Sequence, residues 1–471
     1  MSAPEHFDYI SIGSGEAGKY IAWNLSANQG KRCAVIERKW IGGSCPNIAC
    51  LPSKNFLHSA NVAHDLRSAQ SYGLGAYVQS NNSLKVDLAS VKRRKVEMVD
   101  GLVDMHLGKF RETGVELISG EGRFVGPKTI QIDVGRLLTA DTIVINTGSR
   151  ATIDSSIKGL VEAKPLTHID ILDSEQLPAH LVIIGGGYVA LEFAQAFKRF
   201  GSEVTVLEHN EQILKNEDED VVNALLGVLK EEGIRFITSA RVTEVQGISG
   251  QGVQLSVELP QGELQHIKSS HLMVAAGRTP NTSGIGLEKI GVKLTAIGHV
   301  QVDEQLRTTA DGVFAVGDCA GSPHFTHIGF DDFRIVYSYL IGTPKTKGTS
   351  GRQVPSTLFT SPELAHVGLH EHEAKAKGIK YRLAKLPMAA FLRTRTLGDT
   401  RGFAKALIEA DGNGILGFTA LGPSAGEMLP VVQLAMKLGV GYQEIAGLVI
   451  THPTMCEGLL GLFSMVQPRI H

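Results

Sequence analysis

Apolar and polar positions near the start of the chain alternate in the pattern of a strand, a helix and a second strand. Positions 7–12 form a short run rich in β-forming residues, and apolar residues recur at helical spacing over 16–28. A further short apolar run at 33–36 predicts another strand. Strands that alternate with helices are typical of an α/β fold with a parallel sheet.

The same strand, helix and strand pattern recurs near the middle of the chain. Apolar runs at 181–184 and 204–207 flank a segment with helical periodicity that ends at Phe200. A unit that occurs twice in one chain indicates two similar domains. The predicted fold class is therefore α/β with two Rossmann-like domains.

Each unit has a glycine-rich turn after its first strand and an acidic residue at the end of its second strand. The first unit has Gly13, Gly15, Gly18 and Glu37, and the second has Gly185, Gly187 and Glu208. The glycines let the backbone and the helix N-terminus approach a pyrophosphate, and the acid can accept a hydrogen bond from a ribose hydroxyl. We predict two dinucleotide sites.

A pair of cysteines follows the first unit. Cys45 and Cys50 lie between a glycine pair and Pro-Ser-Lys, and a helix is predicted over 53–65, with both thiols at or just inside its first turns. A helix N-terminus stabilises a thiolate. A structural disulfide, two buried thiols and a metal pair are the alternatives. Five cysteines give no disulfide framework, and no second pair completes a four-ligand metal set. We predict a redox dithiol and no metal site.

Composition bounds the function. The 471 residues are 43% apolar and 20% charged, with a formal net charge of -2. A folded protein of two to four domains is expected, without a nucleic-acid or membrane partner. The N-terminus has neither the basic nor the apolar region of a signal peptide, and His452 and Pro453 interrupt the longest apolar run. We expect a cytoplasmic protein, where a dithiol stays in exchange.

The rest of the chain is predicted to contain further strands and helices. A helix is expected over 85–111, antiparallel strands over 401–409 and 414–421, and helices over 426–438 and 442–448. Shorter strands are predicted at 117–124, 129–133, 142–146 (ending in Thr147 and Gly148) and 272–276, with another within 309–318. The C-terminal segment is predicted to be α+β, and its many apolar residues need a partner surface to cover them.

Five motifs in this order resemble the class I pyridine nucleotide-disulfide oxidoreductases. This family of FAD flavoproteins includes lipoamide dehydrogenase, glutathione reductase and mercuric reductase. The motifs are Gly13-x-Gly15-x-x-Gly18, the stretch from Gly43 to Lys54, Gly185 to Glu192, Thr309 to Asp318, and His452 to Glu457. The resemblance implies an FAD domain at 1–150, an NAD(P) domain at 151–278, a return to the FAD domain at 279–350 and a dimerisation domain at 351–471.

The resemblance also implies roles for single residues. Cys50 would be the sulfur next to the flavin, and Cys45 the exposed interchange thiol. Lys54 and Glu192 would pair beside the flavin, and Tyr188 would gate the nicotinamide pocket. The implied FAD contacts are Gly13, Gly15, Gly18, Glu37, Gly43, Ser44, Lys54, Thr147, Gly148, Gly317, Asp318 and His327. The implied NAD(P) contacts are Gly185, Gly187, Tyr188, Glu192, Glu208 and Gly277.

Three of these residues carry further expectations. Glu208 would repel a 2'-phosphate, which favours NADH over NADPH. His327 is expected to face the flavin, either as a cation that stabilises its reduced form or as a neutral hydrogen-bonded imidazole. Asp318 would hold the ribityl chain of FAD, and a helix N-cap is its alternative role.

His452 and Glu457 are expected to supply acid–base chemistry. Thiol exchange needs a proton acceptor and a proton donor, and an imidazole oriented by a carboxylate provides both. In the family this histidine comes from the second subunit, so the resemblance implies a homodimer in which His452 and Glu457 complete the partner's site.

The functional hypotheses differ in the electron acceptor that they assign to the enzyme. The residues in several motifs are most similar to those of mercuric reductase and its relatives, the NADH-dependent copper reductases. Mercuric reductases end in a vicinal cysteine pair, which this sequence lacks. We expect electrons to pass from NAD(P)H through FAD and the dithiol to a disulfide or a thiophilic metal ion. A dihydrolipoamide dehydrogenase and a flavin redox sensor of low turnover are the alternatives.

Overall fold

The computed structural model describes residues 3–74, 85–133, 135–343 and 348–469. Within these ranges it contains sheets of parallel strands, each flanked by helices, and a separate antiparallel sheet near the C-terminus. The α/β fold class predicted from the sequence is confirmed. No helix in the described parts of the chain is long and apolar enough to cross a bilayer.

The first sheet is built around two long neighbouring strands, β1 and β6. Its order is β3-β2-β1-β6-β5-β4, and β16 pairs with the second half of β6. The pairs β1–β2, β2–β3, β1–β6 and β6–β16 are parallel, and the pairs among β4, β5 and β6 are antiparallel. The strands are β1 (Glu5–Ile12), β2 (Cys33–Glu37), β3 (Glu116–Ser119), β4 (Gly122–Gly126), β5 (Thr129–Ile132), β6 (Arg136–Ile145) and β16 (Val313–Ala315).

Helices cover this sheet because its central strands are apolar on both faces. Tyr9 and Ile10 point to opposite faces of β1, and both are buried in clusters of apolar side chains. The first helix ends at Gly30, whose φ of 63° lies in the left-handed region. The helices are α1 (Glu16–Gln29), α2 (Ser44–Asn47), α3 (Cys50–Ser68), α4 (Leu88–Thr113) and α7 (Thr326–Leu340).

The second part repeats the parallel arrangement on a smaller scale. Its parallel sheet has the order β10-β9-β8-β14, and β11, β12 and β13 form an antiparallel sheet beside it. Strands β7 (Ser149–Ala151) and β15 (Arg278–Pro280) pair where the chain enters and leaves this part. Its elements are β8 (His180–Ile184), α5 (Tyr188–Phe200), β9 (Glu203–Leu207), α6 (Glu219–Glu231), β10 (Arg235–Ile237), β11 (Arg241–Ile248), β12 (Gly252–Glu258), β13 (Leu264–Ser269) and β14 (His271–Val274).

The C-terminal part is an antiparallel sheet packed against helices. The strand order is β17-β18-β21-β20-β19, and Phe418, Val432 and Phe463 are fully buried between the two layers. The elements are β17 (Ser356–Leu358), β18 (Glu363–Gly368), α8 (Glu371–Ala376), β19 (Tyr381–Pro387), α9 (Leu392–Leu397), β20 (Phe403–Glu409), β21 (Ile415–Gly422), α10 (Ala425–Leu438), α11 (Tyr442–Ala446) and α12 (Gly458–Ser464).

Several predicted boundaries were wrong. The strand expected over 117–124 is divided into β3 and β4, because Gly120 adopts a φ of 145° and turns the chain. The helix expected over 53–65 begins earlier, at Cys50, and ends at Ser68. Cys45 lies in the separate short helix α2. The helix expected over 85–111 begins after Asp87, whose carboxylate accepts the N–H of Ser90 and caps α4.

Candidate active site

A cavity of about 1200 Å³ lies beyond the carboxyl ends of the first sheet. In open α/β sheets, ligands bind outside these strand ends. Strand ends at Ile12 and Glu37 contribute to its lining, together with the dithiol segment and the start of α5. The cavity therefore extends from the first glycine turn to residues of the second unit.

The first glycine turn packs so closely that side chains are excluded from it. A Cβ on Gly15 would lie 2.6 Å from Nδ2 of Asn146, and one on Gly43 would lie 2.7 Å from the Cα of Gly15. Gly13 has a φ of 102°, which favours glycine. Asn146 Nδ2 is buried, lacks a hydrogen-bond partner within the described ranges, and belongs to a residue that lines the cavity. This donor and the bare turn fit an oxygen-rich group such as a pyrophosphate.

Glu37 fixes the turn to the end of β2. One carboxylate oxygen accepts the N–H of Ser14 (2.9 Å) and its hydroxyl (2.7 Å). The other accepts the N–H groups of Lys39 and Trp40 at 2.9 and 3.0 Å. The predicted acid thus lies beside the glycine turn and in the cavity lining.

The second glycine turn has the same construction. Gly185 has a φ of 113°, and the N–H of Gly186 donates to the Glu208 carboxylate at 2.6 Å. The second oxygen of Glu208 accepts the N–H of Asn210 at 2.7 Å. A Cβ on Gly187 would meet nothing within 4 Å, so this position faces open space at the start of α5.

Two further predicted NAD(P) contacts, Gly277 and Tyr188, lie at different ends of the second unit's chain. Gly277, with a φ of 123°, follows β14 and precedes β15. Tyr188 is the first residue of α5, and it lines the cavity. Its hydroxyl lies 3.3 Å from Glu217 and 3.2 Å from the hydroxyl of Ser356. The tyrosine side chain is therefore fixed between the second and C-terminal parts of the chain.

The two cysteines meet at the start of α3. Cys50 is the first residue of this helix, and its Sγ lies 3.1 Å from the hydroxyl oxygen of Thr326. The hydrogen bond from Cys45, helped by Thr326 and the nearby charge of Lys54, lowers the pKa of Cys50 to about 6 against the effect of burial. The same hydrogen bond, with burial, raises the pKa of Cys45. Cys50 is thus the thiolate of the reduced pair.

The predicted pair of Lys54 and Glu192 is formed. The Lys54 ammonium donates to both carboxylate oxygens of Glu192, at 2.8 and 3.0 Å. The Glu192 side chain is only 5% exposed, and it also accepts the N–H of Phe359 at 3.0 Å. Since the Lys54 ammonium also lies 4.7 Å from the Phe359 ring centroid, this pair joins α3, α5 and the C-terminal part.

Residues near the second predicted FAD motif also converge on the cavity. Asp318 accepts a hydrogen bond from the hydroxyl of Ser149 and lies 3.4 Å from the Arg278 guanidinium. The Thr147 hydroxyl donates to the carbonyl of Asn281 at 2.7 Å. All five residues line the cavity. Asp318 therefore faces the ligand space.

Three further predicted contacts lie after β6, after β16 and at the start of α7. Gly148, after β6, lines the cavity. The N–H of Gly317 donates to Asp332 at 2.7 Å, which holds the turn that precedes Asp318. His327 Nε2 donates to the carbonyl of Pro355 at 2.8 Å, and burial lowers the pKa of this histidine. These contacts favour the neutral imidazole over the cation.

His452 and Glu457 form a pair outside this cavity. His452 Nδ1 lies 2.8 Å from one carboxylate oxygen of Glu457, and the histidine side chain is 61% exposed. Neither residue is in the cavity lining. One chain alone therefore does not bring His452 to Cys45, and the imidazole is left accessible to a second subunit.

Sequence reasoning missed two residues of the site. Thr326 touches Cys50, and Asn146 holds the glycine turn. Asn146 directly follows the apolar run of β6. A polar residue at the carboxyl end of a strand is a common ligand contact, so the sequence could have indicated this one. Thr326 is remote from the dithiol in sequence, and no local pattern links them.

Comparison with known proteins defines the class. The family model described as pyridine nucleotide-disulphide oxidoreductase matches residues 7–332, and that of its dimerisation domain matches residues 354–461. The chain therefore belongs to the class I pyridine nucleotide-disulfide oxidoreductases. It is an NAD(P)H-dependent flavoprotein disulfide oxidoreductase with FAD as its cofactor, and its dimerisation domain supports a homodimer.

Individual relatives cover nearly the whole chain. The probable pyridine nucleotide-disulfide oxidoreductase RclA of Escherichia coli is 32% identical over 98% of this chain and 99% of its own length. The Cu(II) complex of that HOCl-induced flavoprotein disulfide reductase superimposes with a TM-score of 0.88, at 31% identity, and covers 98% of this chain and 100% of that one. Mitochondrial dihydrolipoyl dehydrogenase of Pisum sativum is 32% identical over 97% of this chain and 91% of that protein.

Proposed function

We propose that this enzyme uses NADH to reduce a disulfide or a thiophilic metal ion through Cys45 and Cys50. The observation that carries the proposal is the unequal pair of thiols beside a nucleotide-sized cavity. Cys50 is held as a thiolate by Cys45, Thr326 and Lys54, and the pKa of Cys45 is raised. Cys50 is thereby ready to attack a mixed disulfide formed on Cys45, while Cys45 carries the proton that must leave before it attacks the acceptor.

FAD fits the cavity that these residues line. The bare turn at Gly13 and Gly15 with the Asn146 amide suits the pyrophosphate, and Asp318 offers its carboxylate to a ribityl hydroxyl. When bound there, FAD supplies the two-electron link between nicotinamide and dithiol. We also propose the domain division of the sequence prediction, with boundaries near residues 150, 278 and 350.

The chain's own part in disulfide reduction is thiol exchange. Cys45, once deprotonated, attacks one sulfur of the acceptor disulfide, forms a mixed disulfide and releases the first thiol. The Cys50 thiolate then attacks the sulfur of Cys45, which closes the Cys45–Cys50 disulfide and releases the second thiol. Two electrons leave the dithiol, the proton of Cys45 ends on the first product thiol, and the second product leaves as a thiolate that takes a proton from water. The hydride of NADH, which carries two electrons and one proton, then restores Cys45 as a thiol and Cys50 as a thiolate.

Proton transfer in this exchange is assigned to His452 of the partner subunit. Glu457 accepts from Nδ1, so Nε2 of the imidazole is left to take the proton of Cys45 and to return it to the leaving thiol. The exposure of His452 within one chain supports a role across a subunit boundary.

Glu208 supports the preference for NADH. Its carboxylate is held by the N–H groups of Gly186 and Asn210 at the end of β9, where the adenosine ribose of the nucleotide would lie. A carboxylate accepts from a free 2'-hydroxyl and repels a 2'-phosphate. We further propose a cytoplasmic location, because an exchanging dithiol needs a reducing compartment.

The acceptor class remains between two candidates. Similarity to RclA, which was solved as a Cu(II) complex, supports a thiophilic metal ion as substrate. The His452 and Glu457 pair favours a disulfide, because thiol exchange uses an acid–base group. Dihydrolipoamide dehydrogenase activity, with electrons flowing from a dithiol to NAD+, is the alternative function, supported by the same pair and by the plant relative.

A substrate panel tests the proposal. The purified FAD enzyme is assayed with NADH and with NADPH, each against lipoamide, glutathione disulfide, Cu(II) and Hg(II). We expect NADH consumption with at least one acceptor, and its loss in Cys45→Ser and Cys50→Ser. Full activity of both variants with the best acceptor would contradict the proposal. A fast reaction of dihydrolipoamide with NAD+ would instead identify the enzyme as a dihydrolipoamide dehydrogenase.

A mixed dimer tests the sharing of the site. Subunits with Cys45→Ser and subunits with His452→Gln are each expected to be inactive toward a disulfide acceptor. In a mixed dimer one of the two sites has both native residues. Each mixed dimer should therefore have about half the activity of a wild-type dimer. A mixture that stays inactive after verified exchange would refute transfer across the interface.

A further inference from the structure

A second polar cluster lies away from the dithiol, between the second and C-terminal parts of the chain. It contains Asp218, which directly precedes α6, and His370 and His372, at the start of α8. One ligand atom from each of these three residues lies within 4.8 Å of the other two. Imidazole nitrogens and carboxylate oxygens at such separations suit one divalent ion of borderline softness, such as Zn²⁺ or Cu²⁺.

A fourth side chain points to a ligand independently of that spacing. The Glu217 side chain is 6% exposed, and its Oε2 lies 3.7 Å from Nδ1 of His370, beyond hydrogen-bonding distance. Within the described ranges, neither atom has a hydrogen-bond partner of normal geometry. A buried carboxylate oxygen that faces an imidazole nitrogen without a bond is costly, and a shared cation would satisfy both.

Neighbouring groups hold the ligand side chains in place. The ring of His366 stacks on His370 at 3.5 Å, while both His366 nitrogens are engaged, by Thr419 and by the carbonyl of Gly368. His366 therefore orients His370 and is not itself a ligand.

The charge balance permits an added cation. The buried ammonium of Lys405 lies 2.8 Å from Asp218 and 2.6 Å from Asp220, and 3.4 Å from Glu371. Lys385 also pairs with Asp220 at 2.6 Å, and Lys375 pairs with Glu371 at 2.9 Å, so these three carboxylates face three ammonium groups. Within the described ranges, Glu217 is the acidic group of the cluster that faces no lysine, and an added cation would balance it. The backbone N–H groups of Glu371 and His372 also donate to Asp218, which fixes its carboxylate.

We propose that Asp218, His370 and His372, together with Glu217, form a binding site for a single divalent transition-metal ion at this junction. The site is separate from the dithiol and does not rest on the proposed reaction. An ion there would tie the start of α6 to the start of α8, and it would bind one oxygen of Glu217 while the other oxygen faces Tyr188. No local pattern indicates this site, because Asp218 and His370 are separated by about 150 residues.

Zinc binding to the FAD-loaded dimer tests the site. Calorimetric titration with Zn²⁺ is done in a Cys45→Ser/Cys50→Ser background, so that the dithiol takes no metal. We expect one saturable site per chain and a rise in melting temperature with Zn²⁺ concentration. The double variant His370→Ala/His372→Ala should lose the saturable step, and Glu217→Gln, which keeps the side-chain shape, should weaken binding about 10–100-fold.

Controls make the result decisive. The exposed His266 lies on β13 outside the cluster, so His266→Ala should bind Zn²⁺ as the background does. X-ray absorption of the zinc-loaded protein should show nitrogen and oxygen ligands with imidazole scattering. Absence of a saturable site, sulfur ligands, or binding unchanged in His370→Ala/His372→Ala would overturn the proposal. Flavin content identifies any variant that is misfolded, and Glu217→Gln then gives the deciding measurement.

Discussion

Replacement of Thr326 by valine isolates one contribution to the reactivity of Cys50. The Thr326 hydroxyl lies 3.1 Å from the Cys50 sulfur, at the start of α7. Valine has nearly the same shape and cannot donate a hydrogen bond. Thr326→Ser keeps the hydroxyl and is the matched control. The change removes a donor from the thiolate and leaves Cys45 and Lys54 in place.

The expected effect is a higher pKa for Cys50. A hydrogen bond to a charged group contributes about 1.5–3 kcal/mol, and one pKa unit corresponds to about 1.4 kcal/mol. Loss of the Thr326 hydroxyl should therefore raise the pKa of Cys50 from about 6 by about one to two units. Because the native pKa is depressed, the thiolate persists above about pH 6 and is lost as the pH falls. In Thr326→Val that loss begins near neutrality.

Alkylation of the NADH-reduced enzyme measures this pKa. The rate of iodoacetamide addition to Cys50 is followed by peptide mass spectrometry from about pH 5 to about pH 9, since only the thiolate reacts. At pH 7 the thiolate fraction should fall from roughly nine-tenths to between a half and a tenth. An unchanged midpoint in Thr326→Val, or an equal rise in Thr326→Ser, would refute the role given to this hydroxyl.

Three further predictions concern other parts of the chain. Lys405→Met leaves Asp218 without its buried cation and should lower the free energy of unfolding by about 3–5 kcal/mol, measured by urea denaturation. Gly43→Ala brings a Cβ against Gly15 at a φ of 85°, so the ratio of bound flavin to protein, read from absorbance, should fall. His452→Gln should slow turnover of a disulfide acceptor about 10²–10⁴-fold, while stopped-flow absorbance shows that NADH still reduces the dithiol.

The sequence predicted the features that depend on local pattern. Both glycine turns, the acids Glu37 and Glu208, and the helices that follow the turns are present close to the predicted positions. The residues that form each feature lie within about forty positions of one another in the sequence. Over such distances, apolar periodicity and turn residues are enough to predict the structure. The pairing of Lys54 with Glu192 came from the family resemblance, since their spacing alone predicts nothing.

Features that arise from packing between distant segments could not be predicted. Thr326 reaches Cys50 only because α7 packs beside the dithiol helix, and no periodicity encodes that contact. Strand β19 was missed because one of its inward positions is Arg382, which breaks the apolar alternation. The buried guanidinium donates to the carbonyls of Glu409 and Gln467, which lie far away in sequence. The Asp218 and His370 cluster was missed for a similar reason, since it forms where two domains meet.

The buried carboxylate of Glu192 limits how the nucleotide-binding unit can move. It is bonded to Lys54 of the dithiol helix and to the N–H of Phe359, so it ties three segments that are remote in sequence. A hinge rotation of the second unit would strip this carboxylate of its donors, at a cost of several kcal/mol. We therefore expect the nicotinamide ring to enter and leave by rotation of single side chains such as Tyr188, while the junction at Glu192 stays fixed.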